Sequence, residues 1–140
     1  MAVFLVIGKR FIKYVKKKNI LIINDNCHSL GSKYYGRKDY AAKYADIVIQ
    51  SFHPVKHITT GEGGALITNN KKIFQKAFNL RSHGIIRNLK KYWIYDIKQF
   101  SFNYRISEIN CALGLTQLKK LDKRINFKRK VARNYDGFFK

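Results

Sequence analysis

Two periodicities alternate along the chain and set its predicted elements. In "KRFIKYVKKKN" the apolar Phe11, Ile12 and Val15 recur at helical spacing with lysines on the other face. "ILIIND" follows as a continuous apolar run ending in polar residues, the pattern of a helix feeding a buried strand. "DIVIQSF" and "GALIT" predict a second and a third strand. The polar segments "DNCHSLGSKYYGRKD" and "HPVKHITTGEG" then fall at strand ends, where sites in α/β sheets collect. "NNKKIFQKAFNLRSHG" predicts a helix with Ile73, Phe74, Ala77 and Phe78 inward, an Asn start and Gly84 just past its end. An irregular aromatic segment, "IIRNLKKYWIYDIKQFSFNYR", comes next. Ser107 and Asn110 make half a capping signal before a helix that carries Ile109, Leu113, Leu118 and Leu121 at helical spacing. The chain runs on as "NFKRKVARNYDGFFK", a cationic helix.

Three strands make too narrow a sheet to cover the apolar surface these elements present, so the pattern predicts part of a larger α/β fold. Composition agrees with a packed domain: 140 residues, 46% hydrophobic and 14% aromatic, are enough for a core. The 29 basic and 8 acidic residues give a net charge of +21. Such a charge attracts anions, but the lysines are spread along the chain and accompany many Ile, Asn and Tyr, as an AT-rich coding sequence produces. The charge supplies only a non-specific term toward nucleic acid, and no specific nucleic-acid partner is predicted. Cys27 and Cys111 stand far apart with no metal-type spacing, which predicts neither a metal site nor a disulfide framework and fits a reduced cytoplasm. The opening "MAVFLVIG" is too short to span a bilayer and leads at once into Lys9 and Arg10, so neither a membrane helix nor a signal peptide is expected.

Candidate chemistry centres on Lys56, which follows the strand "DIVIQSF" and precedes a glycine-rich turn. A lysine amine can form a Schiff base with an aldehyde. Pyridoxal phosphate (PLP) enzymes pair such a lysine with an acid against the pyridine nitrogen, and Asp25, directly after "ILIIN", fits that second part. Read singly, Asp25 is equally a turn-capping residue at a strand end. His53 and His57 read as loop or core histidines, His83 as a residue that either approaches substrate or ends its helix, and "GEGG" lacks the spacing of a phosphate-binding fingerprint, so Gly61, Gly63 and Gly64 predict a tight turn between strands.

In order and spacing, "INDNCHSLGSKYYGRK", "ADIVIQSFHPVKHITTGEGGALITN", "LRSHGI" and "FNYRISEINCALGLTQLKKLD" resemble the PLP-dependent sugar aminotransferases of the DegT/DnrJ/StrS family over about residues 20 to 140. The resemblance implies an α/β fold: the central part of the large domain of a fold-type I PLP-dependent transferase, one partial domain over residues 1–140, truncated at both ends. It implies that Lys56 carries the cofactor and moves protons, that Asp25 pairs with the pyridine nitrogen, and that His28 lies beside the phenolic oxygen. Ser51 matches a hydroxyl that binds the cofactor phosphate, and Asn103 matches an amide lent to the phosphate of a neighbouring subunit. No metal is implied. The implied reaction moves an amino group from glutamate to a nucleotide-linked 4-keto-6-deoxy sugar, in pseudaminic acid-type or surface-polysaccharide biosynthesis, with a homodimer or a separately encoded remainder as partner. A lysine at position 56 separates the chain from the family's dehydratase branch. The family's Glu-Asp pair stands here as Asn24-Asp25. Family members are more than twice this long, so a truncated or split copy is expected, and the alternative is an inactive remnant with only non-specific anion binding.

Overall fold

The computed structural model of the chain describes residues 9–34 and 36–139. Its centre is a three-stranded sheet in the order β1 (Ile23–Asp25), β2 (Ile47–Ser51) and β3 (Gly64–Ile67). β1 and β2 run parallel with Asp25 opposite Ile49, and β3 returns antiparallel with Gly64 opposite Ser51. The parallel pair brings the carboxyl ends of β1 and β2 to one edge of the sheet, where the candidate residues Asp25 and Ser51 both lie. All three strands expected from the apolar runs are present. β1 is shorter than its run, however, because Ile22 already turns its backbone to Asp46: its N–H donates to Asp46 Oδ2 at 2.8 Å, and its carbonyl accepts from the N–H groups of Asp46 and Ile47.

One face of the sheet is covered by α1 (Lys9–Lys17) and α2 (Tyr40–Tyr44). Ile12, Val15 and Ile22 form one buried cluster and Ala41 and Val48 another, with Tyr44 and Ala45 packed against both. α1 ends where Asn19 enters the left-handed region at φ 54°, a conformation that Asn tolerates and that lets the Ile20 N–H reach back to the Val15 carbonyl. Alternation along β1 sends Asn24 to the covered side and leaves Ile23 and Asp25 on the open side. The expected two-sided burial is therefore not found among the described residues: Ile23 is 64% exposed. Asn24 is buried with neither side-chain Oδ1 nor Nδ2 paired.

α3 (Lys71–Arg81) begins on Asn70, whose side chain accepts from the N–H groups of Lys72 and Ile73. It ends with Gly84 at φ 67°, whose N–H donates to the Asn79 carbonyl. A side chain at Gly84 would strike the Gln99 backbone carbonyl, so only glycine fits this close approach. The expected inward face is half right. Ile73 and Ala77 are partly buried, but Phe74 and Phe78 are exposed, with their rings tilted against each other at 6.0 Å and the Arg81 guanidinium over the Phe78 ring at 4.6 Å.

The aromatic stretch read as irregular contains an antiparallel hairpin, β4 (Ile85–Arg87) with β5 (Tyr95–Ile97). Ser107 caps α4 (Glu108–Leu118) by accepting the Asn110 N–H at 3.2 Å, and its hydroxyl returns a bond to Asn110 Oδ1. The helix does not continue unbroken, because the chain turns at Lys119–Lys120 into α5 (Leu121–Phe138). That corner folds α5 back toward the loop after β1, where Gly31 packs against Leu121 and Ile125. Lys38 reaches both carboxylate oxygens of Asp122 at 2.7 Å to tie the same contact. Among the described residues no helix is long and apolar enough to cross a membrane.

Candidate functional site

The loops leaving β1 and β2 converge on one contact. Lys56 Nζ lies 2.6 Å from His28 Nε2, although the two residues are separated by 28 positions. His28 follows β1 through a tight turn in which the Ser29 N–H donates to the Asn26 carbonyl, while the Asn26 N–H crosses to the Ile49 carbonyl of β2. Lys56 stands midway along a loop whose ends, Phe52 and Thr60, are joined by the Thr60 N–H donating to the Phe52 carbonyl at 2.9 Å. A second bond, from Thr59 Oγ1 to the same carbonyl, doubles the closure. Phe52 also donates to the Gly63 carbonyl, which continues the β2–β3 pairing past the strands and sets the "GEGG" turn, with Gly61 at φ 80° and Gly63 at φ 150°. The glycines thus form the expected turn between strands, and the turn closes the lysine loop.

Asp25 ends β1 beside this pair. The Cys27 thiol and then the Cys27 backbone N–H, which donates to Oδ1 at 3.0 Å, hold its carboxyl below the usual carboxylate range. The positive charges of Lys56 and His28 add to that effect. The same neighbourhood acts oppositely on Cys27: burial first, then Asp25, pushes its thiol up, so it remains a neutral hydrogen-bonding group. Because Asp25's shift is downward, its charge and the attraction to Lys56 persist through neutral and mildly acidic pH and vanish as pH falls through the depressed value. An NMR titration of the Asp25 carboxyl is expected to give a midpoint below 3.8, and Cys27→Ala is expected to raise it. A native midpoint above 3.8 would contradict the arrangement.

Ser51 closes β2 and accepts the His53 N–H at 3.4 Å, a bond that leaves its hydroxyl hydrogen unused. Asn103 is placed elsewhere. It bridges to Ser82 across the chain, and its Oδ1 accepts the Arg105 N–H, with no described contact to Asp25, His28, Ser51 or Lys56. The structure therefore gathers Asp25, His28, Ser51 and Lys56 at the carboxyl edge of β1 and β2 and sets Asn103 apart.

His53 faces Glu62 at 3.9 Å. His57 Nδ1 is buried without a hydrogen-bond partner, and the pKa of the ring is pushed down by burial first and by Lys128, His28 and Lys56 next. It lines a cavity of about 260 Å³ with Leu30, Gly31 and Ser32 and with Ile125, Lys128 and Arg129 of α5. Neither Asp25 nor Lys56 borders that cavity, so it is separate from the lysine contact. No group of His, Cys, Asp and Glu among the described residues could hold a metal ion.

Two residues at the site carry roles that sequence reading did not assign. Cys27 supports the Asp25 carboxylate, for which the only signal was its place between Asp25 and His28. Gln117 of α4 binds the backbone at Thr59, and one polar residue on a helix gives no sign of such reach.

The parallel strand pair thus brings an ionised carboxylate, an imidazole and a lysine amine to one edge of an α/β sheet. The chain belongs to the DegT/DnrJ/EryC1/StrS aminotransferase family, whose sequence profile matches residues 9–140. It is 48% identical over 124 residues to the UDP-4-amino-4,6-dideoxy-N-acetyl-beta-L-altrosamine transaminase of Campylobacter jejuni subsp. jejuni serotype O:23/36 (strain 81-176), covering 89% of this chain and 32% of that protein. The fold superposes on Helicobacter pylori PseC, an aminotransferase involved in the biosynthesis of pseudoaminic acid, with a TM-score of 0.86 and 36% identity over 93% of this chain and 34% of that one. The PLP form of the sugar aminotransferase Spr1654 from Streptococcus pneumoniae matches with a TM-score of 0.75 and 30% identity, over 90% of this chain and 32% of that one. The chain thus spans about a third of the length of the relatives it matches. The α/β fold expected from the apolar runs is that of these aminotransferases.

Proposed function

We propose that the chain forms the lysine-bearing part of a PLP-dependent aminotransferase that passes an amino group from glutamate to C4 of a UDP-linked 4-keto-6-deoxy sugar. The observation that carries this reading is the 2.6 Å contact between Lys56 Nζ and His28 Nε2 beside the Asp25 carboxylate. The donor set fits the cofactor: an amine for its aldehyde, an anion for its pyridinium, an imidazole, and a hydroxyl for its phosphate.

Each residue has a task that its placement supports. Lys56 would hold the cofactor through Nζ, and its amine would be the group that moves a proton at the substrate carbon. His28 Nε2 lies 2.6 Å from Lys56 Nζ, within reach for a proton to pass between them, and its ring would stand beside the cofactor's phenolic oxygen. Asp25, held ionised by Cys27, would pair with the pyridine nitrogen and keep it protonated. Ser51 has a hydroxyl hydrogen that would be donated to the phosphate. Asn103, apart from these four, serves the phosphate of a neighbouring subunit in a homodimer. Bound PLP supplies the electron-withdrawing ring that makes the substrate carbon acidic. Both cysteines are free thiols, and a cytoplasmic setting belongs to this proposal.

Spectroscopic titration with PLP and with pyridoxal, which lacks the phosphate, tests it. Saturable binding is expected to be tighter for PLP by roughly tenfold, the worth of a charge-assisted contact at Ser51. Equal affinities, or no saturation with either, would contradict it.

A further inference from the structure

The base of the Lys56 loop is gripped from outside by one side chain. Gln117 of α4 donates from Nε2 to the Thr59 carbonyl at 2.8 Å and accepts the Thr59 N–H on Oε1 at 3.3 Å. A primary amide that takes both backbone groups of one residue fixes that residue in position and in rotation, as a neighbouring strand does. Arg124 of α5 donates to the same Oε1 at 2.6 Å. Its charge settles which end of the amide faces it, since only oxygen can accept from a guanidinium. Nε2 is therefore left for the Thr59 carbonyl, and the amide cannot flip.

The surroundings make this contact tight. Gln117 is buried, as are Ile58 and Thr60 on either side of Thr59. Gly114, one turn earlier on α4, lies so close that an added Cβ would sit 2.7 Å from Thr60 Cγ2. Thr59 in turn closes the loop, with its hydroxyl bonded to the Phe52 carbonyl and receiving the Gly61 N–H at 2.9 Å. Lys56 stands three residues from the gripped position and makes its 2.6 Å contact to His28 from there.

We infer that Gln117, oriented by Arg124, is a positioning residue that holds the Lys56 loop in register with His28, so that the α4–α5 corner sets where the reactive amine stands. The inference rests on the aminotransferase reading only for the use made of the amine. The clamp itself is a property of this chain.

The experiment compares the native chain with Gln117→Ala, Gln117→Glu, Arg124→Ala and, as a control for general destabilisation, Ile12→Val in the α1 cluster. Amide hydrogen exchange is followed without cofactor, and borohydride trapping of PLP is followed as the share of label on Lys56 among all lysines, across a pH series. Gln117→Ala is expected to speed exchange of the Thr59 amide about tenfold while the β1 and β2 amides keep their rates. Its Lys56 share is expected to fall several-fold, about as for any loss of reactive orientation. Gln117→Glu, which keeps the acceptor for Thr59 and Arg124, is expected to restore part of both, and Arg124→Ala to fall between. Ile12→Val is expected to leave the Lys56 share unchanged. Exchange that rises equally in sheet and loop, or an Ile12→Val chain that loses the Lys56 share as Gln117→Ala does, would overturn the inference. Absence of any Lys56 preference in the native chain would count against the aminotransferase reading, and the exchange rates would still decide the clamp.

Discussion

Lys56→Ala is expected to abolish saturable attachment of PLP while leaving the far-UV circular dichroism of the chain unchanged. Twenty other lysines remain in the variant, so amine chemistry in general is not removed. What is removed is, among the described residues, the one amine that meets an imidazole at 2.6 Å beside an ionised carboxylate. Lys13, Lys16 and Lys17 of α1, Lys71, Lys72 and Lys76 of α3, and Lys123 and Lys130 of α5 are exposed, so an aldehyde meets a solvated ammonium there, while Lys128 borders the cavity beside His57. Lys56 is half-buried and tethered at both ends of a closed loop, so its substitution costs the orientation of the reacting amine at a preformed site. The visible absorbance of attached cofactor is expected to fall at least about tenfold, to the background of random lysine reaction. A variant that binds cofactor as the native chain does would place the attachment elsewhere.

The second large effect is an absence. The 140 residues on their own are expected to release no amino sugar from glutamate, PLP and a UDP-linked 4-keto-6-deoxy sugar, even with Asp25, His28 and Lys56 assembled. The reason lies in what covers the site. Asp25 is exposed on the open face of the sheet, next to Ile23 and Leu66, which are also exposed. Nothing described stacks on a ring placed there or closes it from water, and acid–base and electrostatic catalysis both weaken in an open, high-dielectric site. The hairpin and its flanks also leave Tyr92, Trp93, Phe100, Phe102 and Tyr104 exposed, an apolar surface large enough to drive association before a working dimer forms. Chromatography of the amino-sugar product measures this directly, and sustained product formation by the chain alone would refute it.

The parts of this fold that could be read from the sequence are those where one period persists. "DIVIQSF" and "GALIT" read as strands because a short apolar run bounded by polar turns and rich in β-branched residues suits a buried strand better than a helix. Asn70, Ser107 and Gly84 marked helix ends through chemistry local to each residue. The hairpin β4–β5 was hidden because its strands are three residues long, largely exposed, and joined through "NLKKYWI", which carries no Asn-Gly or Gly-Gly turn signal. The α4–α5 corner was hidden for a related reason. Lys119 and Lys120 are good helix formers, and only tertiary contacts of Gln117, Leu121 and Ile125 bend the chain there. Phe74 and Phe78 fit an inward helical face, but periodicity cannot say which neighbour will cover that face.

For the site, the sequence offered five candidates, of which the fold brings Asp25, His28, Ser51 and Lys56 to one edge and leaves Asn103 apart. Strand parity and a parallel pair explain why Asp25 and Ser51 share an edge, though β1 stands at the border of the described sheet rather than at its centre. The support given by Cys27 and Gln117 depends on distances across loops, which no spacing rule encodes.

The most direct measurement is peptide mapping of the native chain after incubation with PLP and reduction with borohydride. Label concentrated on the peptide containing Lys56, above every other lysine-bearing peptide, is the predicted result. Label spread over the lysines in proportion to their exposure, with none favoured at position 56, would contradict the account.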